Sequence, residues 1–244
     1  VRYAVFSDVH GNLEALEAVV ADAAGHDPDA YVCLGDVVGY GPDPNECIAR
    51  VRALGGSVIA GNHDLAAVGA ADLERFTSVA RTAMEWTMTV LSDEARQFLL
   101  ALPLRVETAA FLAVHGSPRD PAEEYILDLP TALAVFTEGD FAVCLVGHSH
   151  IPGAFVLGRD GRVGARALPP AEPVRLSRTS RYIINAGSVG QPRDGDPRAS
   201  YLLLDAGART ITLRRLRYSV AATQAKMAAQ GLPEILAHRL SAGL

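Results

Sequence analysis

The chain has 244 residues, 49% hydrophobic and 20% charged, with a formal net charge of −6. That length and apolar fraction suit one domain with a sizeable core, and they exclude a disordered chain. The negative charge argues against a nucleic-acid coat or a protein of anionic membrane surfaces, and no apolar run reaches the roughly 18 residues a membrane span needs. The opening VRYAVFSD turns polar too soon for a signal peptide. Cys33, Cys47 and Cys144 lie far apart among apolar neighbours, and at least one must stay unpaired. Buried thiols in a reducing cytoplasm are the expectation.

The first sixty residues alternate strand and helix. Arg2 to Phe6 is an apolar run read as a strand, followed by a helical period through Leu13, Leu16, Glu17 and Val20, with Asn12 as its N-cap. Tyr31 to Leu34 predicts a second strand, Pro44 to Leu54 a helix, and Ser57 to Ala60 a third strand. Such βαβ order implies a largely parallel sheet. From Leu65 to Leu102 the pattern is helical, an insertion or flank with Met84, Trp86, Val90, Phe98 and Leu99 as its core; Met84, Trp86 and Met88 read as packing rather than as a cofactor stripe. Strands resume at 104–107 and 111–114. A polar stretch, 116–128, leads to a helix near Thr131–Phe136 and a strand at 142–146. The second half is mostly strands, at 154–157, 162–167, 182–185, 200–205 and 210–217. The first two of these flank Gly158-Arg159-Asp160-Gly161, a hairpin turn of about four residues. Helices at 221–230 and 232–241 follow. No repeat or linker divides the chain.

Five of the seven histidines follow an apolar strand closely, beside Asp, Asn or Gly. The segments are Asp8-Val9-His10-Gly11-Asn12, Gly35-Asp36, Gly61-Asn62-His63-Asp64, His115-Gly116 and Gly147-His148-Ser149-His150. One such residue in a loop is usually a surface group or a cap. Several strands that each end in one point to a shared site, because parallel strand ends open onto one edge of the sheet. His, Asp and Asn suit borderline divalent metals, and the lack of cysteine rules out a closed thiolate site. Asp8 and His10, two apart on an extended chain end, would project alike, as would His148 and His150. About seven ligands are too many for one tetrahedral ion and suit two ions sharing a carboxylate.

The ordered set D-x-H, G-D, G-N-H-D, H-G and G-H-S-H resembles the calcineurin-like metallophosphoesterase superfamily, in particular its small prokaryotic phosphodiesterase-type members. The resemblance spans essentially the whole chain, from Asp8 to Asn185-Ala186-Gly187-Ser188. It implies a single α/β domain over residues 1–244, built as a four-layer α/β/β/α sandwich of two mixed sheets flanked by helices. Asp8, His10, Asp36 and His150 would hold one metal, and Asp36, Asn62, His115 and His148 the second, with Asp36 bridging. Manganese is the first expectation for both ions, with Fe, Zn, Ni or Co as alternatives. His63 would be the catalytic histidine beside the leaving group, and Asp64 would either orient it or cap the following helix.

Two ions about 3.5–4 Å apart activate a shared water as hydroxide and clamp an in-line displacement. Two ions (+4), less Asp8, Asp36 and that hydroxide, leave about one positive charge, which draws in a phosphate-ester anion. The implied activity is phosphoric ester hydrolysis, with diesters favoured and a nucleotide-derived substrate among the candidates. The alternatives are a phosphomonoesterase, resembling a protein Ser/Thr phosphatase or a dinucleoside-polyphosphate hydrolase, and a non-catalytic scaffold of the same fold. Retention of every ligand and of His63 argues against the scaffold. The sequence is silent on oligomeric state.

Other polar loops are less specific. Arg193 suits a phosphate oxygen and equally a surface pair with Asp194 or Asp196. Tyr40 suits stacking on a base, or a place on the rim. Glu123, Glu124 and Tyr125 read as a solvated helix start. The shape of any pocket depends on how 65–102 and 116–128 fold over the metals.

Overall fold

The computed structural model describes residues 1–244. Its strands are β1 Arg2–Phe6, β2 Ala30–Cys33, β3 Ser57–Val58, β4 Arg105–Glu107, β5 Leu112–Val114, β6 Val143–Val146, β7 Gly153–Leu157, β8 Val163–Arg166, β9 Pro173–Arg175, β10 Arg181–Asn185, β11 Ala199–Asp205 and β12 Thr210–Leu216. The helices are α1 Leu13–Ala24, α2 Pro44–Ala53, α3 Asn62–Ala67, α4 Ser78–Val90, α5 Asp93–Leu100, α6 Leu129–Glu138, α7 Val220–Ala229 and α8 Glu234–Ala242. One six-stranded sheet has the order β3-β2-β1-β11-β12-β9, the other β4-β5-β6-β10-β7-β8. Both are mixed. β1, β2 and β3 run parallel, as do β5, β6 and β10, and the remaining neighbours are antiparallel.

Side-chain alternation builds the layers. In β1, Val5 points to the space between the sheets while Ala4 and Phe6 pack outward on α1 and α2. In β6, Val143 and Leu145 face the inter-sheet core, and Cys144 and Val146 face α6 through Val135 and Phe136. This two-residue period fixes register, because a one-residue slip would turn each set to the wrong face. The four-layer sandwich follows. Truncating the fully buried Leu145 to alanine is worth roughly 2–5 kcal/mol.

The local signal holds at the start of α1. The Asn12 side chain accepts from the Ala15 N–H and caps α1. Other expectations shift. Val90 is exposed, because it ends α4 on the solvent side, and Trp86 and Phe98 are only half-buried. The turn between β7 and β8 spans five residues rather than about four, since the pairing closes at Leu157 and Val163. The three-residue β9 has no counterpart in the sequence reading. It is a sheet edge led by Pro173, where a missing N–H costs nothing, and it is too short to show a period. All three cysteines are buried and unpaired. No helix is long and apolar enough to cross a membrane.

Candidate active site

The parallel strands deliver their C-terminal ends to one edge, and the polar clusters meet there. The loops after them are laced together by backbone bonds that prolong the sheets. Asp8 donates its N–H to Gly35 O (3.0 Å) and His10 to Asp36 O (2.9 Å). Gly147 donates to His115 O (2.9 Å), and Val189 and Gly190 donate to Ser7 O and Asp8 O (3.0 and 2.9 Å). The Asn185-Ala186-Gly187-Ser188 loop therefore buttresses the site, with Ser188 Oγ–H also donating to Asp8 O (2.9 Å).

Asp8 and His10 are not extended, contrary to the expectation from their spacing. Both have positive φ (56° and 50°), as do Asp36 (54°), Tyr40 (61°), His148 (65°) and His150 (59°). Left-handed backbone costs about 1–3 kcal/mol at such residues, and Asp, Asn and His enter it most readily among side-chain-bearing residues. Six such turns at one edge aim their side chains into a common volume.

There the side chains form three overlapping sets. Asp8, His10 and His150 bring ligand atoms together, and so do Asp36, His115 and His148, while His10, Asp36 and His63 form a third. Asp36 Oδ2 lies 3.3 Å from His115 Nε2 and 3.7 Å from His10 Nε2. All seven side chains are buried. Three rings are pinned from behind: His10, His115 and His150 set Nδ1 against the carbonyls of Val38 (3.1 Å), Leu34 (2.7 Å) and Gln191 (2.6 Å). Such bonds fix the tautomer and turn Nε2 toward the centre. His148 is reversed, with Nε2 on Glu123 O (3.0 Å) and Nδ1 left free.

Asn62 Oδ1, Asp8 Oδ1 and His115 Nε2 are buried without a hydrogen-bond partner. Buried polar atoms are rarely left so, and these are donors of the kind a divalent cation needs. The residues fit divalent metal binding. Close approach has made the space: a Cβ on Gly61 would lie 2.0 Å from Asp36 Oδ1, and one on Gly39 would lie 2.4 Å from His63 Nδ1.

The charges interlock. Burial works against ionisation of Asp36, but His115 and His63 hold it well below the carboxylate range. Burial also opposes charge on His115, yet Asp36 pushes it up to about 10. Asp8 is lowered too, with His150 and His115 outweighing burial. Burial takes His148 down to about 3, with His115 adding to the fall.

Asn62 and His63 occupy the first turn of α3. Successive helical side chains diverge by about 100°, so Asn62 and His63 still face different ways. His63 N–H donates to Asp36 Oδ1 (2.9 Å), and its ring packs among His10, Tyr40 and Phe76. Burial lowers His63 to about 4 against the pull of Asp36.

Asp64 does not touch the His63 ring. Its carboxylate accepts from Gly61 N–H (3.0 Å), capping α3, and from the N–H groups of Val37 (2.9 Å) and Val38 (3.2 Å). It ties α3 to the Asp36 loop, and burial with the Asp36 charge raises it to about 7.

A cavity of about 490 Å³ opens beside the ligands, within the roughly 300–1,000 Å³ range of small-molecule sites. Both segments of open placement reach it, one through Arg75, Phe76 and Thr77 and the other through Glu123 and Tyr125. Glu123 ends a turn and Glu124 and Tyr125 are irregular chain rather than a solvated helix start, and Tyr125 stacks on His148 with centroids 3.7 Å apart. Sequence reasoning missed that aromatic because it looks like any exposed tyrosine in a polar run. Arg193 pairs with neither Asp194 nor Asp196, which hold Arg215 and Arg198. Its guanidinium donates to Gln191 Oε1 (3.0 Å) and lies 5.9 Å from the Tyr40 ring centre, so both residues line the cavity.

Two mixed sheets and a histidine–carboxylate edge define a metallophosphoesterase architecture. The chain belongs to the calcineurin-like phosphoesterase superfamily, whose domain model matches residues 1–209. It is 38% identical to an uncharacterized protein of Methanocaldococcus jannaschii, over 98% of this chain and 97% of that one. The crystal structure of a metallophosphoesterase from Sphaerobacter thermophilus superposes with a TM-score of 0.89 at 44% identity, covering 100% of this chain and 99% of that one. A hypothetical protein from Pyrococcus horikoshii shares the fold at a TM-score of 0.82 and 20% identity, with 100% and 98% covered.

Proposed function

We propose that the protein hydrolyses phosphodiesters with two divalent ions, manganese first among them. Asp8, His10, Asp36 and His150 hold one ion; Asp36, Asn62, His115 and His148 hold the other. The observation that carries this reading is that the Asp8–His10–His150 and Asp36–His115–His148 sets adjoin through His10 and Asp36, with unpartnered ligand atoms on either side. When bound, the ions supply Lewis acidity, lowering the pKa of water and offsetting charge on phosphoryl oxygens.

The chain's own residues do the rest. The strapped loops hold the ligands so that little reorganisation accompanies reaction. His63, on the cavity side of Asp36, faces the departing ester oxygen. Its ring is neutral in the free protein, and an anionic substrate raises its proton affinity, since an opposite charge favours the protonated form. It then gives its proton to the leaving group. Arg193, free of carboxylates, takes a phosphate oxygen of the substrate, and Tyr40 braces it.

Diesters are favoured because aromatic and cationic side chains continue past the ligands, leaving room for a second ester substituent. Parallel kinetics on bis(4-nitrophenyl) phosphate and 4-nitrophenyl phosphate with added manganese test this. The diester should show the higher kcat/KM. A higher value for the monoester would reverse the assignment, and no turnover of either would favour a scaffold.

A further inference from the structure

The cavity beside the ligands has an uneven charge. Three arginines reach it, Arg75 on the 73–75 turn, Arg193, and Arg239 of α8, against one side-chain carboxylate, Glu123. Glu123 lies 3.8 Å from Arg75 and offsets it. Arg193 and Arg239 have no carboxylate within 4.0 Å, although elsewhere this acidic chain pairs Arg198, Arg214 and Arg215 closely. Arg193 donates to the Tyr40 hydroxyl (3.4 Å), and Tyr40, Arg193 and Arg239 all line the cavity. The cavity is also lined by Phe76, edge-on to His63, and by Tyr125, stacked on His148.

Arg239 lies outside residues 1–209, so the shared domain does not supply it. Packing presents it there: Leu236 and Leu240 are buried against Ala83 of α4 and Met227 of α7, and the adjoining Gly243 O accepts from Gly195 N–H (2.9 Å), tying α8 to the Arg193 loop. Two unpaired guanidiniums held by a fixed helix and a strapped loop are a ready receptor for a second anion, and guanidinium forks match phosphate geometry.

The geometry points to a second phosphate subsite: the substrate is a nucleotide-type ester whose scissile phosphoryl group sits at the histidine–carboxylate cluster. Its ring lies on Tyr125 and Phe76, and a further phosphate sits on Arg193 and Arg239. This inference rests on the hydrolase reading for the scissile end, but its test is binding.

The experiment measures the affinity of the manganese-loaded full chain for adenosine 3′,5′-bisphosphate and adenosine 5′-monophosphate by calorimetry. The bisphosphate should bind at least tenfold more tightly, and Arg239→Gln should remove most of that advantage while weakening the monophosphate far less. Equal affinities for the two nucleotides, an advantage that survives in Arg239→Gln, or no binding of either would overturn the subsite. Circular dichroism and Tm of Arg239→Gln check that α8 remains docked; Arg239→Lys, which keeps the charge, should restore part of the advantage if the first variant loosens the helix. Turnover of bis(4-nitrophenyl) phosphate reports the diesterase reading separately. Tighter bisphosphate binding without turnover would sink that reading and leave the subsite standing.

Discussion

The Nε2 atoms of His10 and His150 face each other at 3.1 Å, although each ring already gives its Nδ1–H to a backbone carbonyl. Two lone pairs aimed at one point repel unless a proton or a cation lies between them. Asp8 Oδ1, 3.1 Å from His150 Nε2 and 3.7 Å from His10 Nε2, adds a negative charge to the same place. A cation relieves all three. Manganese should accordingly raise Tm and a chelator lower it, by linkage with the free-ion concentration; calorimetric scans with and without metal would check this, and a Tm indifferent to both would count against a metal centre.

The position of Asp36 separates the two sets of ligands by mutation. Asp36→Asn should lose metal at both sites, whereas His150→Ala should lose chiefly the ion of Asp8 and His10. Elemental analysis of purified variants decides it. One full equivalent at each site in Asp36→Asn would remove the bridging role.

Gly61 offers a test that changes no ligand. A methyl group there would lie 2.0 Å from Asp36 Oδ1 and 2.6 Å from the Asp36 backbone nitrogen, so Gly61→Ala must displace the shared carboxylate. Metal content should fall at both sites, with activity down on the order of 100-fold, the scale of an ångström's misplacement, while circular dichroism stays native. Full occupancy with unchanged turnover would mean the loop adapts.

For His63, leaving-group chemistry distinguishes proton transfer from charge stabilisation. An alkoxide needs a proton to depart, and a nitrophenolate leaves readily without one. His63→Ala should keep both metals, lose about 10²–10⁴-fold on nucleoside or alkyl esters, and lose much less on nitrophenyl esters. Equal losses would favour charge stabilisation, and loss of metal would make His63 a ligand.

Much of this site was legible because its chemistry uses rare residue types at strand ends. Asp8, Asp36, His115 and His148 each follow an apolar run whose alternation marks a strand, and Asn12 caps the helix it precedes. The backbone between them was not legible. Spacing suggested that Asp8 and His10 project from an extended chain, but their left-handed turns come from bonds to the Asp36 loop, more than twenty residues away. Asn62 and His63 follow the strand read at 57–60, and the helix they begin has only six residues, too few to show a period. Asp64 was allotted to catalysis or capping, and only long-range contacts show it on the backbone of Val37 and Val38. Tyr125 and Arg239 carry no local signal at all: one sits in a polar run, the other on the exposed face of a helix.

Away from the site, Asp22 gives a pH-dependent contribution to stability. Arg214 grips both its oxygens, Tyr201 Oη–H donates to it (2.7 Å), and His26 lies 3.7 Å away. The Arg214 hydrogen bonds outweigh burial, and its carboxyl is held below the usual range. A depressed folded pKa stabilises above the unfolded value of about 3.9 and is lost as pH falls through the folded one. Asp22→Asn should cost roughly 0.5–1 kcal/mol at pH 7, the scale of a partly solvated pair. In urea titrations, the gap between parent and variant should narrow toward pH 3, and a gap constant from pH 7 to 3 would contradict the assignment.

Anomalous diffraction from crystals grown with manganese tests the central claim most directly. Two peaks should appear within about 4 Å of each other, both in contact with Asp36, one bounded by Asp8, His10 and His150 and the other by Asn62, His115 and His148. A single peak, or two that do not share Asp36, would contradict the binuclear centre.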